Sequence, residues 1–186
     1  MAVYATLGDA ATAAAERDIT VYTVGHSNHS FNKMVGLLRK YSIQVLVDVR
    51  SVPRSRWAPW FNKKNLETAI PQLGIEYQYA GNHLGGLPND PAYYKPNAQR
   101  RRKADPVTVA DYDKMARQSW FHEAIDALLE VASRRRTAIM CAEENPQKCH
   151  RSQLVGRTLV TKGAKVLHIR GNGRLHDDFP PMPAYP

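Results

Sequence analysis

At 186 residues with 43% hydrophobic content, the chain has enough apolar material for one domain with a full core and too little length for two comfortable ones. Its 26 Lys and Arg outnumber 17 Asp and Glu, a net charge of +9 that favours an anionic partner, small molecule or nucleic acid. There is no apolar run of about 18 residues and no Lys or Arg before the Ala-rich start, which argues against a membrane span and a secretory signal and leads to the expectation of a cytoplasmic protein.

Residues 1–18 lack a useful apolar face and read as a loose leader, so the domain is expected to start near Ile19. Thr20–Val24 then reads as a strand. Phe31–Tyr41 reads as a helix, with Phe31, Met34, Val35, Leu38 and Tyr41 at helical spacing and Ser30 placed to cap it. Next come the strand Ile43–Val49, a helix from Lys63 to about Ile70 and the strand Ile75–Tyr79. The polar stretch 81–107, punctuated by Pro88, Pro91, Pro96 and Pro106, reads as an insertion or lid. A short helix around Ala110–Gln118 precedes a longer one, Trp120–Ser133, with Phe121, Ile125, Leu128, Leu129 and Ala132 on one face. The strand Thr137–Cys141, the helix Gln153–Lys162 and the strand Lys165–Ile169 follow, and the Pro-rich tail 171–186 is expected to be irregular. Strands alternating with helices indicate the α/β class: a single three-layer domain over residues 19–170, with a mainly parallel sheet of about five strands and helices on both faces.

Open parallel sheets bind ligands beyond the carboxyl ends of their strands. Those ends carry, in order, GHSNHS (Gly25–Ser30), DVRSVPRS (Asp48–Ser55), AGNHLGG (Ala80–Gly86), CAEENPQKCHR (Cys141–Arg151) and HIRGNG (His168–Gly173). His26, Asp48, Arg50, Cys141, Glu143, Cys149, His150 and Arg151 are therefore expected to converge on one pocket. Asp48 and Arg50, two residues apart, point to the same face as either an ion pair or working groups. Two cysteines are too few for a disulfide framework and read as free thiols, redox partners or ligands. Cys141 ends a strand and can be a small buried hydrophobe. Cys149, beside His150 and Arg151 near a helix N-terminus, is the candidate nucleophile or redox thiol and the one expected to react faster.

In this reading Arg50 and Arg151 hold negative charge, Asp48 or Glu143 acts as general base, and His26 or His150 shuttles a proton. Ser27, Asn28, Gly85 and Gly86 complete the substrate contacts. Cys141, Cys149, His150 and His26 can in principle supply four zinc ligands, but the Cys-x7-Cys-His spacing matches no common structural zinc knuckle, so no metal site is assigned. A phosphatase-like anion loop wants an arginine six residues after its cysteine, and Gln147 and Val155 stand there instead. Arg54, Arg56, Trp57 and Trp60, interleaved with Phe61, Lys63 and Lys64, suit phosphate contacts plus base stacking, or else anchor an aromatic loop under solvated charges. The basic runs from Arg100 and Arg134 read as solvated faces or nonspecific phosphate contacts.

TVGHSN, DVRSVPRS, GIEYQYAGNHLGG and CAEENPQKCHR, in that order, resemble the family catalogued as domain of unknown function 488, across roughly Thr20–Arg170, and the last motif is the most specific. The resemblance implies a compact α/β domain with a polar site built around these motifs, and it brings no settled reaction. The leading reading is thus an enzyme, hydrolytic or group-transfer, acting on an anionic, nucleotide-like substrate at the strand-end cleft. Its rivals are a non-catalytic nucleic-acid-binding module and a thiol redox sensor through Cys141 and Cys149. Neither a cofactor nor an oligomeric state follows from the residues.

Overall fold

The apolar runs become six strands in the computed structural model, which describes residues 18–96 and 109–177. They are β1 (Thr20–Gly25), β2 (Val45–Asp48), β3 (Glu76–Tyr79), β4 (Thr137–Cys141), β5 (Lys165–Ile169) and β6 (Leu175–His176), in the sheet order β3-β2-β4-β1-β5-β6. The first five are parallel, and β6 pairs antiparallel with β5. β2 and β4 are buried along their whole length, as strands covered on both faces must be.

Side-chain alternation splits the core into two layers. On one face Tyr22, Val24, Leu46 and Met140 pack under α1 (Phe31–Lys40) and α2 (Lys63–Ala69), through Met34, Leu38, Leu66 and neighbouring Phe61. On the other, Val21, Val47, Ile139 and Cys141 pack against Phe121, Ile125 and Leu128, and against Leu154, Val155 and Leu159. Between these elements lie α3 (Gly81–Leu84) and α4 (Tyr112–Met115); the second layer is formed by α5 (Ser119–Arg134) and by a π-helical turn, Arg151–Gly156, that runs into α6 (Arg157–Thr161). Helices thus cover both faces, the α/β class that the alternation indicates.

Local signals account for most boundaries. Ser30 caps α1, its hydroxyl accepting from the Lys33 N–H at 3.2 Å, and Arg39 and Lys40 sit at the C-terminal end, where the helix dipole favours cations. Three expectations change. The tail adds β6, the region around Ala110–Gln118 forms only the single turn of α4, capped by Asp111, and the helix expected over Gln153–Lys162 opens instead as the π turn. The leader apart from Asp18, the basic run from Arg100, the later part of the expected insertion and the end of the tail lie outside the described residues. No helix among the described residues is long and apolar enough to cross a membrane.

The neighbours β2 and β4 send the chain to opposite faces, β2 toward α2 and β4 toward the π turn. A crevice forms between the two carboxyl ends, the usual ligand position in an open parallel sheet.

Candidate functional site

A cavity of about 150 Å³ occupies that crevice. Arg50, Ser51 and Val52 after β2 form one wall, and Cys141 at the end of β4 forms another with Ala142 and Glu143. Lys148, Cys149 and His150 close it from the same loop, with Gly86, Leu87 and Tyr112 opposite.

Cys149 returns to Cys141 because the intervening loop doubles back. Asn145 accepts from the Gln147 N–H at 3.0 Å and starts a single 3-10 turn, Pro146–Lys148, and the Cys149 N–H closes it on the Pro146 carbonyl at 3.0 Å. Cys149 then caps the helical segment. Its carbonyl accepts from the Ser152 and Gln153 N–H groups, and its Sγ accepts from the Arg151 N–H at 3.4 Å.

His150 Nδ1 lies 3.6 Å from Cys141 Sγ and 3.9 Å from Cys149 Sγ, and the three groups present ligand atoms all within 4.8 Å of one another. His150 Nε2 is 2.9 Å from the Val49 carbonyl, which can only accept, so Nε2 carries the proton and the Nδ1 lone pair faces the thiols. Gly86 locks the ring, since a Cβ there would stand 2.6 Å from His150 Cγ.

The order of the two thiols is the reverse of the sequence expectation. Cys149 donates its S–H to Cys141 and so holds the Cys141 thiol below the ordinary thiol range, with the Arg151 guanidinium and the amides of Ala142 and Glu143 acting in the same direction. Burial first, and then the Cys141 partner, push Cys149 well above that range. The helix N-terminus is present at Cys149, but desolvation outweighs it.

Arg151 does not face the cleft, contrary to the anion-holding role expected of it. It is 0% exposed, and its guanidinium donates to the carbonyls of Glu143 and Glu144 and, at 3.3 Å, to Thr23 Oγ1. No carboxylate lies within ion-pair distance of it among the described residues. It pins the loop after β4 onto β1, where Gly25 leaves room for the Glu143 carbonyl that a Cβ would strike.

His26 and Asp48 are also displaced from the expected pocket. Arg50 is bound bidentately by Asp48, Nε to Oδ1 at 2.8 Å and a terminal nitrogen to Oδ2 at 2.6 Å, and Tyr77 donates to the same Oδ2 at 2.7 Å. Both carboxylate oxygens are occupied, so Asp48 is an ion-pair partner and not a free base. Arg50 also donates to the Phe61 carbonyl at 2.7 Å and to His26 Nε2 at 2.9 Å. A guanidinium only donates, so His26 Nε2 accepts, and its Nδ1 donates to the Ser27 carbonyl at 2.8 Å. His26 stacks on Phe61 at 4.6 Å, in the α1–α2 layer, whereas Cys149 belongs to the opposite layer. The eight residues therefore divide. Arg50, Cys141, Glu143, Cys149 and His150 line the cavity, while His26 and Asp48 brace it from the other face and Arg151 from beneath.

Burial, and then Arg50, lower the His26 pKa to about 4, which removes it as a proton shuttle near neutrality. The unfolded imidazole takes up a proton below about pH 6.5 that the native one excludes until about pH 4, so stability is expected to fall across that window, by about 3 kcal/mol at its lower end. His26→Gln should flatten this slope in denaturant melts between pH 4 and 7, and an unaltered slope would contradict the assignment.

Ser27 and Asn28 lie outside the cavity wall; Ser27 adopts φ +46° and donates its N–H to the Ala142 carbonyl. Gly85 packs against Ser51 Oγ. Arg54 and Arg56 line a separate surface depression that shares Val52 with the cavity, Trp57 is 80% exposed with the Arg56 guanidinium 4.9 Å from its ring, and the Trp60 indole donates to the His29 carbonyl. Sequence reasoning missed the Val49 carbonyl, Thr23, Tyr77 and the cavity residues Ser51, Val52, Leu87, Tyr112 and Lys148. Of these Val49, Ser51, Val52 and Lys148 fall inside a strand-end cluster.

Two thiols and an imidazole at these separations can supply a sulfur nucleophile, close a disulfide or hold a soft cation. The family model described as domain of unknown function DUF488 matches residues 30–158, which include the whole loop from Cys141 to Arg151. No curated protein and no solved structure matches the chain significantly.

Proposed function

The chain belongs to the DUF488 family, and we propose that this member is an enzyme that carries out hydrolysis or group transfer on an anionic, nucleotide-like substrate. One observation carries the reading. Two thiols and an imidazole with a fixed tautomer face one another in the wall of a cavity at the switch point of a parallel sheet. An apolar core has no use for three aligned reactive groups, whereas a reactive site does.

The surroundings favour an anion with an apolar part. Lys148 stands in the wall, Arg54 and Arg56 follow across Val52, and Val52 and Leu87 expose apolar surface at the mouth. Glu143, exposed at the cavity, takes the acid–base role that Asp48 cannot fill. A cytoplasmic location belongs to the same proposal, since buried paired thiols suit a reducing compartment.

The test is turnover of a panel of nucleoside mono-, di- and triphosphates by protein as isolated. Cys141→Ala is expected to reduce turnover by at least ~100-fold with the circular dichroism unchanged, while Arg56→Ala raises KM and spares kcat. The alternative nucleic-acid-binding module draws on the exposed Trp57 with Arg56 stacked on it. It would be supported by no turnover together with salt-sensitive oligonucleotide binding that Trp57→Ala abolishes and Cys141→Ala leaves intact.

A further inference from the structure

We propose that Cys141, Cys149 and His150 bind one zinc ion through two thiolate sulfurs and the imidazole Nδ1, leaving a fourth coordination position open to the cavity. The inference deepens, and rests on, the reading of this cavity as a reactive site. Its first support is distance. Around a tetrahedral zinc with Zn–S near 2.3 Å and Zn–N near 2.0 Å, sulfur and nitrogen ligands stand about 3.6 Å apart. The two sulfurs here stand 3.6 and 3.9 Å from Nδ1.

The second support is orientation. The Nε2–H donated to the Val49 carbonyl fixes the tautomer that leaves Nδ1 free to ligate, and zinc-binding histidines are oriented by such an outer partner. The Arg151 N–H bonded to Cys149 Sγ steadies one sulfur in the same way. With Gly86 against the ring, the donors are held before any ion arrives, so binding loses little ordering entropy.

Donor chemistry selects the metal. Two sulfurs and one imidazole suit zinc and disfavour magnesium, calcium and manganese. Two thiolates neutralise a divalent ion, so the filled site adds no net charge to a buried region. Three protein ligands with one open position are the pattern of catalytic rather than structural zinc, and a zinc so placed polarises a substrate oxygen or activates a water. The fourth ligand considered from sequence, His26, is excluded because Arg50 occupies its Nε2. The spacing alone did not suggest this set, because the Pro146–Lys148 turn is what returns Cys149 to Cys141.

The full chain, purified without metal-affinity resin, is expected to carry about one zinc by elemental analysis. After removal of zinc, added cobalt(II) should give the tetrahedral d–d bands and the sulfur-to-metal charge-transfer absorption of a two-thiolate site. Cys149→Ala and His150→Ala should each lower zinc retention at least ~10-fold. The wild-type cobalt spectrum decides the matter even if a variant fails to fold. Folded wild-type protein without zinc and without a sulfur-to-cobalt band overturns the inference, and so does full retention in Cys149→Ala. The enzyme reading fails separately: zinc-free protein with Cys141-dependent turnover removes the metal and keeps the enzyme. Bound zinc without turnover of any nucleoside phosphate, and with a cobalt spectrum unmoved by them, removes the open position and the enzyme together.

Discussion

Arg151→Ala is expected to destabilise the protein by about 3–5 kcal/mol, measured by urea unfolding. The side chain is fully buried, and its guanidinium ties the Glu143 and Glu144 carbonyls to Thr23 on β1. Truncation strands those acceptors and opens a cavity where a long side chain was packed. Arg151→Lys should recover only a minority of the loss, because an ammonium cannot span three acceptors as a planar guanidinium does. Glu144 strengthens the same clamp from outside. Arg170 donates to it at 2.8 and 3.0 Å and, with the Gly171 N–H, holds its carboxyl at a pKa of about 2. A loss below about 1 kcal/mol in Arg151→Ala, the usual size for a surface substitution, would place the side chain in the cleft after all.

Asp48→Ala carries the second large effect, also about 3–5 kcal/mol, because it leaves the Arg50 guanidinium buried without its counter-ion. The pair itself is worth much less than that figure, since both charges were desolvated to form it. The double substitution Asp48→Leu with Arg50→Met should therefore recover most of the stability lost by Asp48→Ala alone. Tyr77→Phe removes one donor to the carboxylate, leaves the pair in place, and should cost about 1 kcal/mol. If the double substitution were as unstable as the single one, the ion pair would not be the source of the effect.

The architecture was legible because its signals are local. Phe31, Met34, Val35 and Leu38 define a helix face by spacing, Ser30 marks its start, and the apolar runs of β1, β2 and β4 have the length of buried strands. Every cavity wall except α4 and its surroundings also falls within a strand-end cluster or directly beside one. Which face each polar residue takes was available in principle. Asp48 shares the parity of Leu46, Cys141 that of Ile139, and Asp48 pairs in register with Met140, so Asp48 and Cys141 belong to different layers. Continuing Val24 to His26 by the same alternation puts the imidazole with Phe61.

The rest was not local. The return of Cys149 to Cys141 depends on the seven residues between them doubling back, and the tautomer of His150 depends on a carbonyl about a hundred residues away in sequence. The inverted order of the thiols comes from burial and their mutual contact, which override the helix N-terminus that spacing alone suggests for Cys149. Arg151 reads as an anion ligand in a motif, yet the close approach of Gly25 to Glu143 turns it inward as a brace.

By the proposed function, the cavity between β2 and β4 takes up an anionic, nucleotide-like substrate. An amide-resolved NMR titration of the full chain with adenosine monophosphate locates that uptake residue by residue. Saturable shifts are expected at Val52, Gly86, Leu87, Ala142 and Lys148, weakened in Cys149→Ala. Shifts confined to Arg56, Trp57 and the basic run from Arg134, with the cavity amides unmoved at saturation, would contradict that uptake.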